Sequence, residues 1–187
     1  MSVANTSTVL NAIKHDYAEL KEHYENILGA QDTDSKIHWQ NQFTCEFAPH
    51  SLGEELVVYP ATERHLDQGG KEMANKDRKE NLKVKELLYK SQKLSPSDQS
   101  FELTIMSLWS ELIQHVQGEV FHNLPALEKT SAEGDSQSMA SSFGRTKMFG
   151  STRSHPSALD KPPFETVAGL MAAPLDKLRD PFRQFSE

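Results

Sequence analysis

The stretch "FAPHSLGEELVVYPATERHL", residues 47–66, decides how this chain folds. Phe47, His50, Glu54, Val57 and Ala61 recur at steps of three and four, the spacing of one helix face. Two members of that stripe are polar. Residues at i and i+4 lie on one face with their Cβ atoms ~5–6 Å apart, so His50 and Glu54 point together into the face that should pack. Pro49 and Pro60 predict a bend or break near each, because proline lacks the N–H that an interior helix position donates.

Working outward, the same helix extends back to residue 36 through Trp39 and Phe43, and three more segments share its period. Residues 10–28 carry Ile13, Tyr17, Leu20, Tyr24 and Ile27. Residues 71–92 carry Met73, Asp77, Asn81, Val84 and Leu88. Residues 99–129 carry Phe101, Ile105, Leu108, Leu112, His115, Glu119 and His122. "GAQDTDS", "DQGG" and "SPSD" punctuate them, with Gly29 expected as a C-cap and Asp34 or Ser35 as the next N-cap. Four amphipathic helices with short connections predict an all-α fold, an antiparallel up-down four-helix bundle over residues 9–130. Residues 131–187 form a C-terminal extension. "TSAEGDSQSMASSFGRT", 130–146, reads as a Ser/Gly-rich linker. Behind it, two short helical pieces flank Pro174. Their Phe164, Val167, Leu170, Met171, Leu175, Leu178 and Phe182 are read as packing on the bundle or on a partner.

Charge narrows the function. Residues 1–130 hold 13 Lys/Arg against 20 Asp/Glu, while residues 131–187 hold seven of each. An acidic body without a basic stripe excludes nucleic-acid binding through phosphates. No apolar run reaches the ~18–20 residues of a membrane helix, and the N-terminus lacks the pattern of a secretory signal. Cys45 is the single cysteine, which leaves no disulfide framework and no cysteine-based zinc site. A reduced cytoplasmic location is the default expectation.

Polar residues recur on the inward stripes: Tyr17, His50 and Glu54, Asp77 and Asn81, then His115, Glu119 and His122. Left unpaired in one core layer, they would cost several kcal/mol. A mutual hydrogen-bond network would compensate, and so would a metal ion. Two separate His-x-x-x-Glu pairs favour the metal, because each offers an imidazole and a carboxylate on one face.

"HSLGEELVVYPA" and "LIQHVQGEVFHNLPALEK" resemble the two His-x-x-x-Glu helices of the hemerythrin-like family, also called the HHE cation-binding domain. Pro60 and Pro125, each following its glutamate, belong to the pattern. The resemblance covers about residues 9–129, and the tail resembles extensions of fungal members. It implies a four-helix bundle around a non-haem iron pair, with roles in oxygen binding, sensing, iron storage or redox chemistry. Carried over, it makes His50, Glu54, His115 and Glu119 metal ligands, with Asp77 beside them, and the two glutamates the bridging carboxylates. Departures accompany it. "KHDYAEL" places Tyr17 on the first-helix ligand position, and "DRKENLKVKELL" places Asn81 where a histidine belongs. His15 stands ~200° around the helix from Tyr17 and is expected in solvent. Glu119 and His122 form a Glu-x-x-His pair like that of ferritin-like proteins.

Two functions follow. One is an iron-binding protein with an altered site open to dioxygen or a small-molecule substrate, whose enzymatic form is an oxidative step in fungal secondary metabolism. The other is a metal-free descendant acting as a binding or structural protein. A zinc hydrolase is weaker, since mid-bundle ligands are enclosed.

Overall fold

Each helix begins and ends where its local chemistry changes. In the computed structural model, which describes residues 7–132 and 134–149, α1 spans Val9–Gly29 and starts at Thr8, whose hydroxyl accepts the Asn11 N–H. α2 spans Thr33–Gly53 with Asp32 as its cap, two residues before the expected Asp34. The Asp32 carboxylate accepts the Ser35 N–H at 2.8 Å, leaving Asp34 in the first turn to complement the helix dipole.

Pro49 lies inside α2 without ending it. The expected disturbance near Pro60 takes a specific form, a π-helical turn over Glu54–Val58 that leads into α3, Tyr59–His65. The Tyr59 N–H reaches back to the Glu54 carbonyl, five residues away instead of four. Pro60 comes next and has no N–H to continue the wide turn. α4 runs Asp67–Ser91, so "DQGG" opens this helix and does not separate it from its predecessor by a loop. α5, Phe101–Gly118, passes through a second π-helical turn, Glu119–Asn123, into α6, Leu124–Thr130, with Pro125 placed as Pro60 is.

The four rods of the bundle are therefore α1, α2 with α3, α4, and α5 with α6. α1 packs on α2, α4 packs on α3 and α5, and α1 also meets α5 and α6. The described residues contain no strand. Phe43, Phe47, Ile13, Leu20, Leu108 and Leu112 fill the apolar layers, each burial worth ~1.5–3 kcal/mol. No helix is long and apolar enough to cross a membrane among the described residues.

The linker reading of 130–146 gives way over most of its length. Asp135–Phe149 is a helix, α7, packed on α1 and α2 as a fifth rod. Its Ser136 hydroxyl accepts the Val9 N–H and donates to Glu128, so it satisfies a free amide at the start of α1. Phe143, 2 % exposed, packs into a notch at Gly53, where a Cβ would stand 2.7 Å from its ring. The tail residues read as apolar, Phe164 to Phe182, lie outside the described residues.

Candidate metal centre

Two helical segments of like design meet in the middle of the bundle. "HSLGEELVVYP" and "HVQGEVFHNLP" share His, Gly, Glu and Pro at identical spacing, and each π-helical turn begins at the shared glutamate. Such wide turns concentrate at functional sites, because the extra residue re-aims the side chains around it. His50, Glu54, His115 and Glu119 are all buried, none more than 1 % exposed. The inward phase read from the sequence therefore places all four in the core.

Glu54 is the hub. Its Oε1 accepts from the Tyr17 hydroxyl at 3.0 Å and stands 2.8 Å from His50 Nε2. Its Oε2 accepts from the Tyr59 hydroxyl at 3.1 Å and stands 3.6 Å from His115 Nε2. Glu119 Oε2 lies 3.6 Å from the same His115 nitrogen and 2.7 Å from the Tyr17 hydroxyl. Donor atoms of Glu54, His115 and Glu119 all fall within 4.8 Å of one another.

Each imidazole is held from behind by a carboxylate. Asp16 Oδ2 accepts from His50 Nδ1 at 2.8 Å, and Glu80 Oε2 faces His115 Nδ1 at 3.4 Å. A carboxylate on Nδ1 fixes the tautomer that leaves the Nε2 lone pair for an ion. Asp77 stands beside this second contact, grouped with Glu80 and His115, and both of its oxygens accept from the Asn123 amide at 2.9 and 2.7 Å.

The charges are shared unevenly. Burial opposes a charge on His50, but Glu54 and Asp16 outweigh it and raise its pKa to about 9. His115 is likewise raised against burial, by Glu119, Glu54 and Glu80. Burial alone would raise Glu54, yet the two imidazoles hold it well below the usual carboxylate range. Glu119 is pushed well up, first by burial and then by the Glu54 charge. A phenol carries one proton, so Tyr17 cannot donate to both glutamates at once. The hydroxyl stands within reach of both, 2.7 Å from Glu119 Oε2 and 3.0 Å from Glu54 Oε1, and burial beside Glu54 favours the protonated form of Glu119. Asp77 rises to about 6, chiefly from burial.

These residues fit a metal ion on one observation in particular. Two buried polar atoms at the hub have no hydrogen-bond partner, His50 Nε2 and Glu119 Oε1. The 2.8 Å contact of His50 with Glu54 has the distance of an ion pair but not the direction of a hydrogen bond. Unmade hydrogen bonds in a dry core cost ~1–3 kcal/mol each, and a cation between these donors removes that cost.

Other sequence candidates fall outside the hub. Asn81 is buried but turns to Ser51 and Glu55, where its oxygen accepts from the Ser51 hydroxyl at 3.0 Å. The groups of α4 that reach His115 are Glu80 and Asp77 instead. His122 is exposed and joins no cluster among the described residues, so its Glu-x-x-His analogy is not realised there; Asn123, the next residue, takes the inward place. His15 is in solvent, 73 % exposed, as its helix phase requires. Asp16, Tyr59 and Glu80 were not singled out from sequence.

The chain is 52% identical over 172 residues to a relative described as an uncharacterized hemerythrin-like protein of the fission yeast Schizosaccharomyces pombe. The match covers 92% of this chain and 85% of the relative. No family model matches the chain, and no solved structure does.

Proposed function

This chain belongs to the hemerythrin-like family, and from that premise we propose that it is a non-haem iron-binding protein, its ion held by His50, Glu54, His115 and Glu119 with Asp77 beside them. The observation that supports the reading best is the pair of buried atoms without a hydrogen-bond partner, His50 Nε2 and Glu119 Oε1, at a hub where both imidazoles approach Glu54. A set of imidazoles and carboxylates suits iron among the first-row metals. The crowding of carboxylates supports room for a second ion beside Asp77 and Glu80.

Bound iron supplies a Lewis acid and a redox couple, the chemistry that handling dioxygen or a small-molecule substrate needs. The chain's own residues do the rest. Asp16 and Glu80 hold the Nδ1 positions. Tyr17 and Tyr59 orient the Glu54 carboxylate from opposite oxygens. Tyr17, Phe47 and Phe143 ring the His50 imidazole and keep water from it. Ligands must be deprotonated to hold an ion, and His50, His115 and Glu119 all have raised pKa values here, so uptake would strengthen as pH rises. A reducing cytoplasm suits a chain loaded with ferrous iron, and an oxidative step in secondary metabolism is the enzymatic form of the proposal.

One observation favours the second reading, a metal-free descendant: the Tyr17 hydroxyl already ties the two glutamates together. Metal content per chain decides between them. Protein from iron-supplemented cells, purified without air and measured by mass spectrometry, should carry one or two irons. A folded chain with none overturns the iron reading and leaves the polar hub as a hydrogen-bond network.

A further inference from the structure

Helix α7 reaches the hub indirectly. Lys147 Nζ donates to Asp16 Oδ2 at 2.6 Å, and that same oxygen accepts from His50 Nδ1 at 2.8 Å. The ammonium also donates to Glu46 of α2 at 2.9 Å, so it joins three helices at one point. One turn earlier on α7, Phe143 meets the His50 ring edge-on, with centroids 5.5 Å apart. Outside this contact, an open groove of about 790 Å³ runs between α1, α2 and α7, and Asp16, Cys45, Glu46 and Lys147 border it. His50 holds the Asp16 carboxylate from α2, and α7 brings the ammonium that holds the same oxygen from the other side.

We propose that Lys147 is a positioning residue for the metal centre: through Asp16 it sets the orientation of His50, and docking of α7 and binding of iron are therefore one linked equilibrium. The inference rests on the iron-binding reading. Its content is reciprocal. If a docked α7 orients His50 for the ion, the bound ion holds α7 down by the same factor. Helix α7 then differs between the loaded and the empty protein.

The sign separates positioning from simple charge. Taking a positive charge away from a cation site should tighten metal binding if charge alone acts. Losing the group that holds an outer-shell partner should weaken it. The full-length chain, Lys147→Met and Lys147→Arg should be titrated anaerobically with ferrous iron against a chromophoric chelator. Lys147→Met is expected to weaken binding roughly tenfold, the low end of the 10–100-fold typical of outer-shell partners, and Lys147→Arg to restore most of it. Hydrogen exchange supplies a second readout that needs no variant: amides of α7 in the unaltered chain should exchange more slowly with iron than without. Equal or tighter binding by a folded Lys147→Met overturns the proposal, as does α7 exchange indifferent to iron. An unaltered chain that takes up no iron overturns the iron-binding reading instead, and this one with it.

Discussion

His50 and His115 occupy equivalent posts, each with a carboxylate behind Nδ1 and glutamate oxygens before Nε2. His50→Ala and His115→Ala should each lower iron content several-fold by mass spectrometry, while His15→Ala, altering a residue 73 % exposed, should leave it unchanged. Loss of iron in the His15 variant would mean that α1 is set at a different rotation. The raised His50 also makes a pH prediction for the metal-free protein. Its pKa goes from 6.5 to about 9 on folding, so its stabilising contribution is full below 6.5 and disappears as pH climbs through about 9. Denaturant midpoints should fall between pH 7 and 9.5, and His50→Gln should flatten that part of the curve. At this scale the two buried His-x-x-x-Glu pairs were legible because i, i+4 geometry is local. Asp16 was not. It neighbours Tyr17 in sequence, ~100° around the helix, and its partners there, His50 of α2 and Lys147 of α7, are set by packing between helices.

The two π-helical turns give the element scale its sharpest test. Each starts at a glutamate preceded by glycine, but the two glycines face different surroundings. A Cβ on Gly53 would stand 2.7 Å from the Phe143 ring, whereas one on Gly118 would meet only Lys76 Nζ at 4.0 Å. Gly118→Ala should therefore stabilise the protein by up to ~1 kcal/mol through helix propensity. Gly53→Ala should lose that gain and destabilise, because it displaces Phe143 and loosens α7. Thermal melts of the two variants decide it, and a stabilised Gly53→Ala would show that α7 has other room. The prolines announced a disturbance in the sequence, but not its kind. Proline chemistry forbids one donor, and whether the chain answers with a kink or a wide turn depends on what the neighbouring rods accept. The linker reading of 130–146 failed for a related reason. Serines and Gly144 weaken intrinsic helicity, and α7 forms because packing on α1 and α2 makes up the difference.

For the whole molecule, the bundle was legible from period and spacing alone, since four apolar stripes with short connections leave few alternatives. The partnering of one polar group with another was not, because it depends on the rotation of each rod against the next. Asn81 shows this: it is on the inward stripe, yet it turns to Ser51 and Glu55 and away from the hub. Metal binding, if it draws on all rods, should stabilise the entire fold. At ferrous iron a hundredfold above its dissociation constant, linkage gives ~2.7 kcal/mol, or roughly 5–10 °C in Tm for a chain of this size. Calorimetry without air measures it, and an unchanged Tm would argue against a native-state site.

The hub also has an order in time. α1 to α3 bring Tyr17, His50 and Glu54, while Glu80, His115 and Glu119 arrive only with α4 to α6. A chain emerging from the ribosome exposes the first half of the donor set well before the second exists. A complete donor set therefore requires all four rods, and no fragment that ends before α5 carries it.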